Sequence, residues 1–220
     1  MQSDHTYTFA RNEKTYRYYL SAPDNYDPEK ESLPLIVFLH GAGERGTDIN
    51  LVKTHGIPKL FEKNYNKTRA VTVSPQCDPG MTWNGQVQDL KTFIDHIVGK
   101  YNIDKDRISI TGLSMGGFGT WAMGLAYPGY FSALAPVCGG NGMIWLAELL
   151  KDIPIRAFHG AADAVVLPSA SIEMVEAVNK AGGKAELTLY EGVGHDSWIQ
   201  AYEQTDLIEW LASRVRAKKE

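Results

Sequence analysis

Ser114 stands in Gly112-Leu113-Ser114-Met115-Gly116, with the strand-like run Arg107-Ile108-Ser109-Ile110-Thr111 before it and a helix-like run after it. A serine at a sharp strand-to-helix turn sits in strained backbone, and side chains two positions either side would crowd it, so glycines are expected there. In that setting the pattern is a nucleophile elbow, its hydroxyl exposed at a helix N-terminus. The hydroxyl alone is a weak nucleophile. It needs a base and an acid that orients the base, and behind an elbow of this kind the chain order is Ser, then Asp or Glu, then His. Two later runs supply that order: Ile155-Arg156-Ala157-Phe158 ends in His159-Gly160-Ala161-Ala162-Asp163, and residues 185–190 end in Glu191-Gly192-Val193-Gly194-His195. Asp163 and His195 are therefore expected in loops past strand ends, where the functional groups of open α/β sheets converge.

The other histidines and acids fit other places. His5 precedes the expected first strand, His55 lies in a polar segment beside Gly56 and Pro58, and His96 falls on the polar flank of a helical pattern, so all three read as surface residues. His40 and His159 each precede glycine at a strand end and are expected to make structural hydrogen bonds. Asp152 precedes its strand, at the wrong end of the sheet, and Asp196 is expected to cap the last helix.

An attacked carbonyl also needs amide donors for its developing negative charge, one after the nucleophile and one from the loop following an earlier strand. Met115 supplies the first. The strand-like run Pro34-Leu35-Ile36-Val37-Phe38-Leu39 leads into His40-Gly41-Ala42-Gly43-Glu44-Arg45-Gly46, which makes Ala42 the second and Gly43 its alternative. The glycine-rich loop also suits phosphate, but no Gly-Lys-Ser/Thr follows it.

Taken together, Leu-His-Gly-Ala-Gly-Glu-Arg-Gly at 39–46, Ser-Pro-Gln-Cys at 74–77, Gly-Leu-Ser-Met-Gly-Gly at 112–117, Cys-Gly-Gly at 138–140 and His-Gly-Ala-Ala-Asp at 159–163 resemble the α/β-hydrolase carboxylesterases. More narrowly, the chain is similar to the group labelled predicted peptidases or phospholipase/carboxylesterase-like proteins, relatives of feruloyl and acetyl-xylan esterases and of dienelactone hydrolases. The resemblance runs from the first strand to His195-Asp196-Ser197-Trp198. It implies Ser114 as nucleophile, Asp163 as acid and His195 as base, and leaves the substrate open because the fold hosts many chemistries.

Residues 6–9 and 15–20 alternate around Arg11-Asn12-Glu13-Lys14 as an antiparallel hairpin would. Strands and helices then alternate, predicting a mostly parallel sheet with helices on both faces, here the α/β-hydrolase fold. Residues 70–73 and 132–137 are further strands. One final helix is expected over residues 197–216, with Leu207, Ile208, Leu211 and Val215 as its apolar stripe and Arg214, Arg216, Lys218 and Lys219 complementing its C-terminal dipole. Between Cys138 and Ile155 there is room for one short helix, around residues 144–150, and no large lid. An open crevice follows, favouring short or surface-presented esters. Trp83, Trp145 and Trp198 are candidate crevice walls, suited to sugars or phenolic acyl groups, against the alternative that each is packing surface.

The 220 residues, 44% of them hydrophobic and 22% charged, suit a single domain over residues 1–220. A formal net charge of -4 argues against a nucleic-acid surface. The chain has no apolar run long enough to span a bilayer, and Met1-Gln2-Ser3-Asp4-His5 lacks a signal-peptide pattern. A cytoplasmic protein without membrane partners is expected, with export an option had a leader been removed. Cys77 and Cys138 are expected as free thiols, with a disulfide between them as the alternative, and neither lies in an elbow. The sequence has no metal-ligand spacing, so neither metal nor cofactor is expected. The reading is a serine carboxylesterase acting on a small-molecule or oligosaccharide-linked ester. Its alternatives are a serine peptidase, disfavoured by the poorer amide leaving group, an acyl-thioesterase, and a hydrolase-fold binding module, which an intact triad argues against.

Overall fold

The computed structural model describes residues 2–11, 13–62 and 68–217. The alternating N-terminal runs form a hairpin in which β1 (Gln2–Thr8) pairs antiparallel with β2 (Thr15–Ser21). Asn12 of the expected turn lies outside the described residues. His5 is inside β1, stacked on Tyr18 at 5.3 Å, rather than ahead of the strand.

Beyond the hairpin come β3 (Leu33–Leu39), α1 (Gly56–Glu62), β4 (Val71–Pro75), α2 (Val87–Lys100), β5 (Ile103–Leu113), α3 (Met115–Ala126), β6 (Ala133–Val137), β7 (Ile155–Gly160), α4 (Ser169–Lys180), β8 (Ala185–Tyr190), α5 (Trp198–Glu203) and α6 (Leu207–Ser213). The strands make one sheet in the order β1-β2-β4-β3-β5-β6-β7-β8. β2 pairs antiparallel with β4, and every later pairing is parallel. This is the α/β-hydrolase fold.

Both faces of the sheet are covered, which is why β3 is apolar at every position and buried throughout. Its period-2 pleat divides the core in two. Leu35, Val37 and Leu39 pack with Phe93 of α2, Trp121 of α3 and Met174 of α4, whereas Ile36 and Phe38 pack with Phe61 of α1, Tyr202 of α5 and Leu211 of α6. Helix α4 carries buried Ser171, Met174, Val175 and Val178, a helical-period stripe.

The C-terminal helix is not continuous. At Gln204–Asp206 the Thr205 hydroxyl donates to Ala201 O at 2.6 Å and accepts from Leu207 N at 3.1 Å, satisfying backbone groups on both sides of the break. Leu207, Ile208 and Leu211 are buried as expected, but Val215 is 61% exposed because the chain turns extended at Arg214, the residue after α6. Arg216 serves no helix dipole. It pairs with Asp106 at 2.6 Å and donates to Gly129 O at 2.7 Å, and Lys218 and Lys219 lie outside the described residues.

Candidate active site

The elbow forms where β5 gives way to α3. Ser114 has φ 51° and ψ -116°, a strained conformation for a residue with a side chain. The flanking glycines answer to space: a Cβ on Gly116 would lie 1.9 Å from Leu39 O, and one on Gly112 would lie 2.5 Å from Gly116 O. The strained amide is held from β6, since Ser114 N–H donates to Val137 O at 2.9 Å and reaches Cys138 Sγ at 3.2 Å.

The loops after β7 and β8 bring Asp163 and His195 to this elbow. His195 Nε2 lies 2.9 Å from Ser114 Oγ, and Nδ1 lies 2.7 Å from Asp163 Oδ2. An ionised carboxylate only accepts, so Nδ1 carries the proton and Nε2 is free to accept from the serine. Asp163 Oδ1 takes the Val165 and Val166 amides at 2.9 and 3.0 Å. Burial opposes the ionisation of Asp163, but the hydrogen bonds from His195 and from the two amides outweigh it and hold the carboxyl below its ordinary range.

Ala42 and Gly43 form a short 3-10 turn, Ala42–Glu44, beside the elbow, both exposed. Met115 opens α3, where a helix leaves its first amides without intrahelical partners. A cleft of about 300 Å³ next to Ser114 is lined by Thr82, Asn84, Met115 and Phe118.

His40 anchors the 3-10 loop from beneath. Its Nδ1–H donates to Gly41 O at 2.6 Å and its Nε2 accepts the Cys77 amide at 2.9 Å, so the neutral ring ties β3 to β4. Burial pushes its pKa down to about 4.

The tryptophans divide. Trp83 is not a crevice wall: it is fully buried, donates from Nε1 to His40 O at 2.9 Å, and packs so tightly on α3 that a Cβ on Gly119 would fall 2.5 Å from its own Cβ. Trp145 is 73% exposed on the 3-10 segment Ile144–Leu150. Trp198 stands edge-on to the His195 ring at 5.4 Å. His55, expected on the surface, is half-buried against Trp198 at 5.1 Å, with Glu44 4.0 Å from its Nε2. The sequence carried no sign of that contact, because His55 and Trp198 meet only through the fold. His96 also is half-buried, stacked on Tyr7 at 4.5 Å. Asp196 does not cap α5; Ser197 occupies that position and makes no side-chain cap bond.

Both cysteines are free and buried. Burial pushes the thiols up, Cys77 to about 11 and Cys138 to about 12, so neither offers a thiolate. Among the described residues there is no cluster of His, Cys, Asp or Glu that could hold a metal, and no helix is long and apolar enough to cross a membrane.

A strained serine at the β5–α3 elbow, with an oriented imidazole against it on an eight-stranded α/β-hydrolase sheet, defines a serine-hydrolase class of site. The chain belongs to the esterase family: the family profile described as "Putative esterase" matches residues 10–220. It is 30% identical over 150 residues to the bifunctional acetylxylan esterase/xylanase XynS20E of Neocallimastix patriciarum, a match covering 66% of this chain and 21% of that protein. It is 31% identical over 153 residues to the probable carboxylesterase Os04g0669500 of Oryza sativa subsp. japonica, covering 67% and 55% of the two chains. The crystal structure of a thermostable esterase superposes with a TM-score of 0.90 at 35% identity, over 98% of this chain and 63% of that one. The chain thus spans less than two thirds of each of these relatives.

Proposed function

We propose that this chain is a serine carboxylesterase that hydrolyses short-acyl or aryl esters, with carbohydrate-linked acetyl or feruloyl groups among its substrates. The observation that carries the reading is the unbroken relay from Ser114 Oγ through His195 to Asp163 at a strained elbow. Membership in the esterase family and the similarity to an acetylxylan esterase support the ester as substrate.

His195 Nε2 takes the serine proton as Oγ bonds to the ester carbonyl carbon, and the Ala42 and Met115 amides hold the resulting oxyanion. Collapse of that intermediate breaks the bond to the alcohol oxygen, which leaves with the proton from Nε2. Water then attacks the acyl carbon as it gives a proton to Nε2, and collapse of the second intermediate breaks the bond to Ser114 Oγ, which takes that proton back as the acid departs. Asp163 stays ionised throughout, fixes the tautomer and stabilises the transient imidazolium. Trp198 holds the base in place edge-on, while exposed Trp145 offers a face to an aryl or sugar group. Neither step draws on a cofactor.

The test is fluorophosphonate labelling of the parent and Ser114→Ala proteins, followed by aryl esters, acetylated and feruloylated oligosaccharides, thioesters and peptides. Labelling lost in Ser114→Ala, with ester turnover down by several powers of ten, is expected. Turnover in that variant within tenfold of the parent, or a clear preference for thioesters or peptides, would overturn the proposal.

A further inference from the structure

His55 stands where the chain leaves the 3-10 segment Ile49–Thr54 and enters α1. The turn there is tightly fixed. Gly56 has φ 63°, and a Cβ on it would fall 2.4 Å from the Phe38 ring of β3, so the backbone favours glycine and sets the direction of the side chain before it. That side chain is half-buried between two parts of the site. On one side His55 Nε2 lies 4.0 Å from Oε1 of Glu44, a buried residue of the 3-10 turn that carries Ala42. On the other the imidazole packs against the Trp198 indole at 5.1 Å, and the indole in turn stands at 88° to the His195 ring at 5.4 Å. Trp198 Nε1 is buried and makes no hydrogen bond among the described residues, so packing alone orients the indole.

We propose that His55 is a positioning residue: wedged against Glu44, it backs the Trp198 indole, which holds the His195 ring at the angle where Nε2 meets Ser114. The proposal rests on the reading of Ser114 and His195 as nucleophile and base. The bond from Nδ1 to Asp163 fixes one atom of the His195 ring and leaves rotation about that bond. An edge-on indole restricts the rotation and keeps Nε2 at 2.9 Å from Ser114 Oγ. With His55 truncated, the indole gains rotamers that enter the space left behind, and the base spends less time within reach of the serine. His55 lies behind Trp198, and the cleft beside Ser114 is lined by other residues, so its effect falls on turnover rather than on substrate binding.

A double-mutant cycle on ester hydrolysis tests it, using the parent, His55→Ala, Trp198→Leu and the double variant. Each single change should lower kcat by about tenfold with KM within about threefold of the parent, because a displaced base costs rate rather than binding. The double variant should also be down by about tenfold, not by the roughly hundredfold loss that independent effects would give. His55→Phe keeps a ring against the indole and should recover kcat to within about threefold of the parent. Independent effects in the cycle, a loss carried in KM, or a folded His55→Phe no more active than His55→Ala overturns the proposal. In the parent protein the Trp198 indole protons should show nuclear Overhauser contacts to both imidazoles, and absence of the contact to His55 overturns it even if the variants do not fold. Failure of a fluorophosphonate to label Ser114 in the parent would count against the triad itself, whereas independent effects in an active enzyme count against His55 alone.

Discussion

Two buried side chains show how much of this site is electrostatics. The Asp163 carboxyl is depressed below its ordinary range in the fold, so its ionised form stabilises the native state above the unfolded carboxylate value, and that contribution is lost as pH falls through the folded one. Asp163→Asn should keep the fold at neutral pH, lose most ester turnover through the wrong imidazole tautomer, and flatten the acid side of the stability profile. Equal damage from Asp196→Asn, with Asp163→Asn harmless in a turnover assay, would reassign the acid. His40 acts in a higher window. Its folded pKa of about 4 lies below the ordinary 6.5, so the fold resists protonating it, and stability present above pH 6.5 is lost as pH falls toward 4. That gap corresponds to ~3 kcal/mol, because each unit is 1.36 kcal/mol. Urea midpoints measured at pH 7 and pH 4.5 should diverge in the parent protein and draw together in His40→Gln.

Elements decide where those side chains end up. The hydroxyl of Thr205 bonds to both helices at the α5–α6 break, and losing it should cost about 1 kcal/mol, read as a fall of roughly 2–4 °C in Tm for Thr205→Ala. That break was not legible in the sequence, since the apolar positions of α6 continue the period of α5, and one threonine among polar neighbours is an ordinary helix-surface residue. Ser114, Asp163 and His195 were legible because glycines and strand ends mark the sharp turns that carry them. The burial of Trp83 was not: a tryptophan past a strand end reads alike as wall or as packing, and only the absence of a Cβ on Gly119 admits it against α3. The half-burial of His55 likewise depends on Trp198, far along the chain, and no local pattern reports a contact at that separation.

At the scale of the whole molecule, the connection from β6 to β7 holds one 3-10 segment, Ile144–Leu150, and nothing large enough to close over Ser114. A long acyl chain would lie partly in water, each unburied methylene forgoing about 0.8 kcal/mol. kcat/KM for p-nitrophenyl esters should therefore fall from acetyl or butyryl to dodecanoyl, without activation at a lipid interface; a steady rise with chain length would show an acyl tunnel. The elbow depends on contacts made far along the chain. Its strained amide is fastened by Val137 O and Cys138 Sγ at the end of β6, and the base reaches Ser114 across 81 residues of chain. Contacts so distant in sequence are late to form, because the loops they close must be ordered first. A refolding chain should thus recover its far-ultraviolet circular dichroism before it recovers ester hydrolysis, and the lag between the two signals would time the docking of β6 through β8 onto an already folded half.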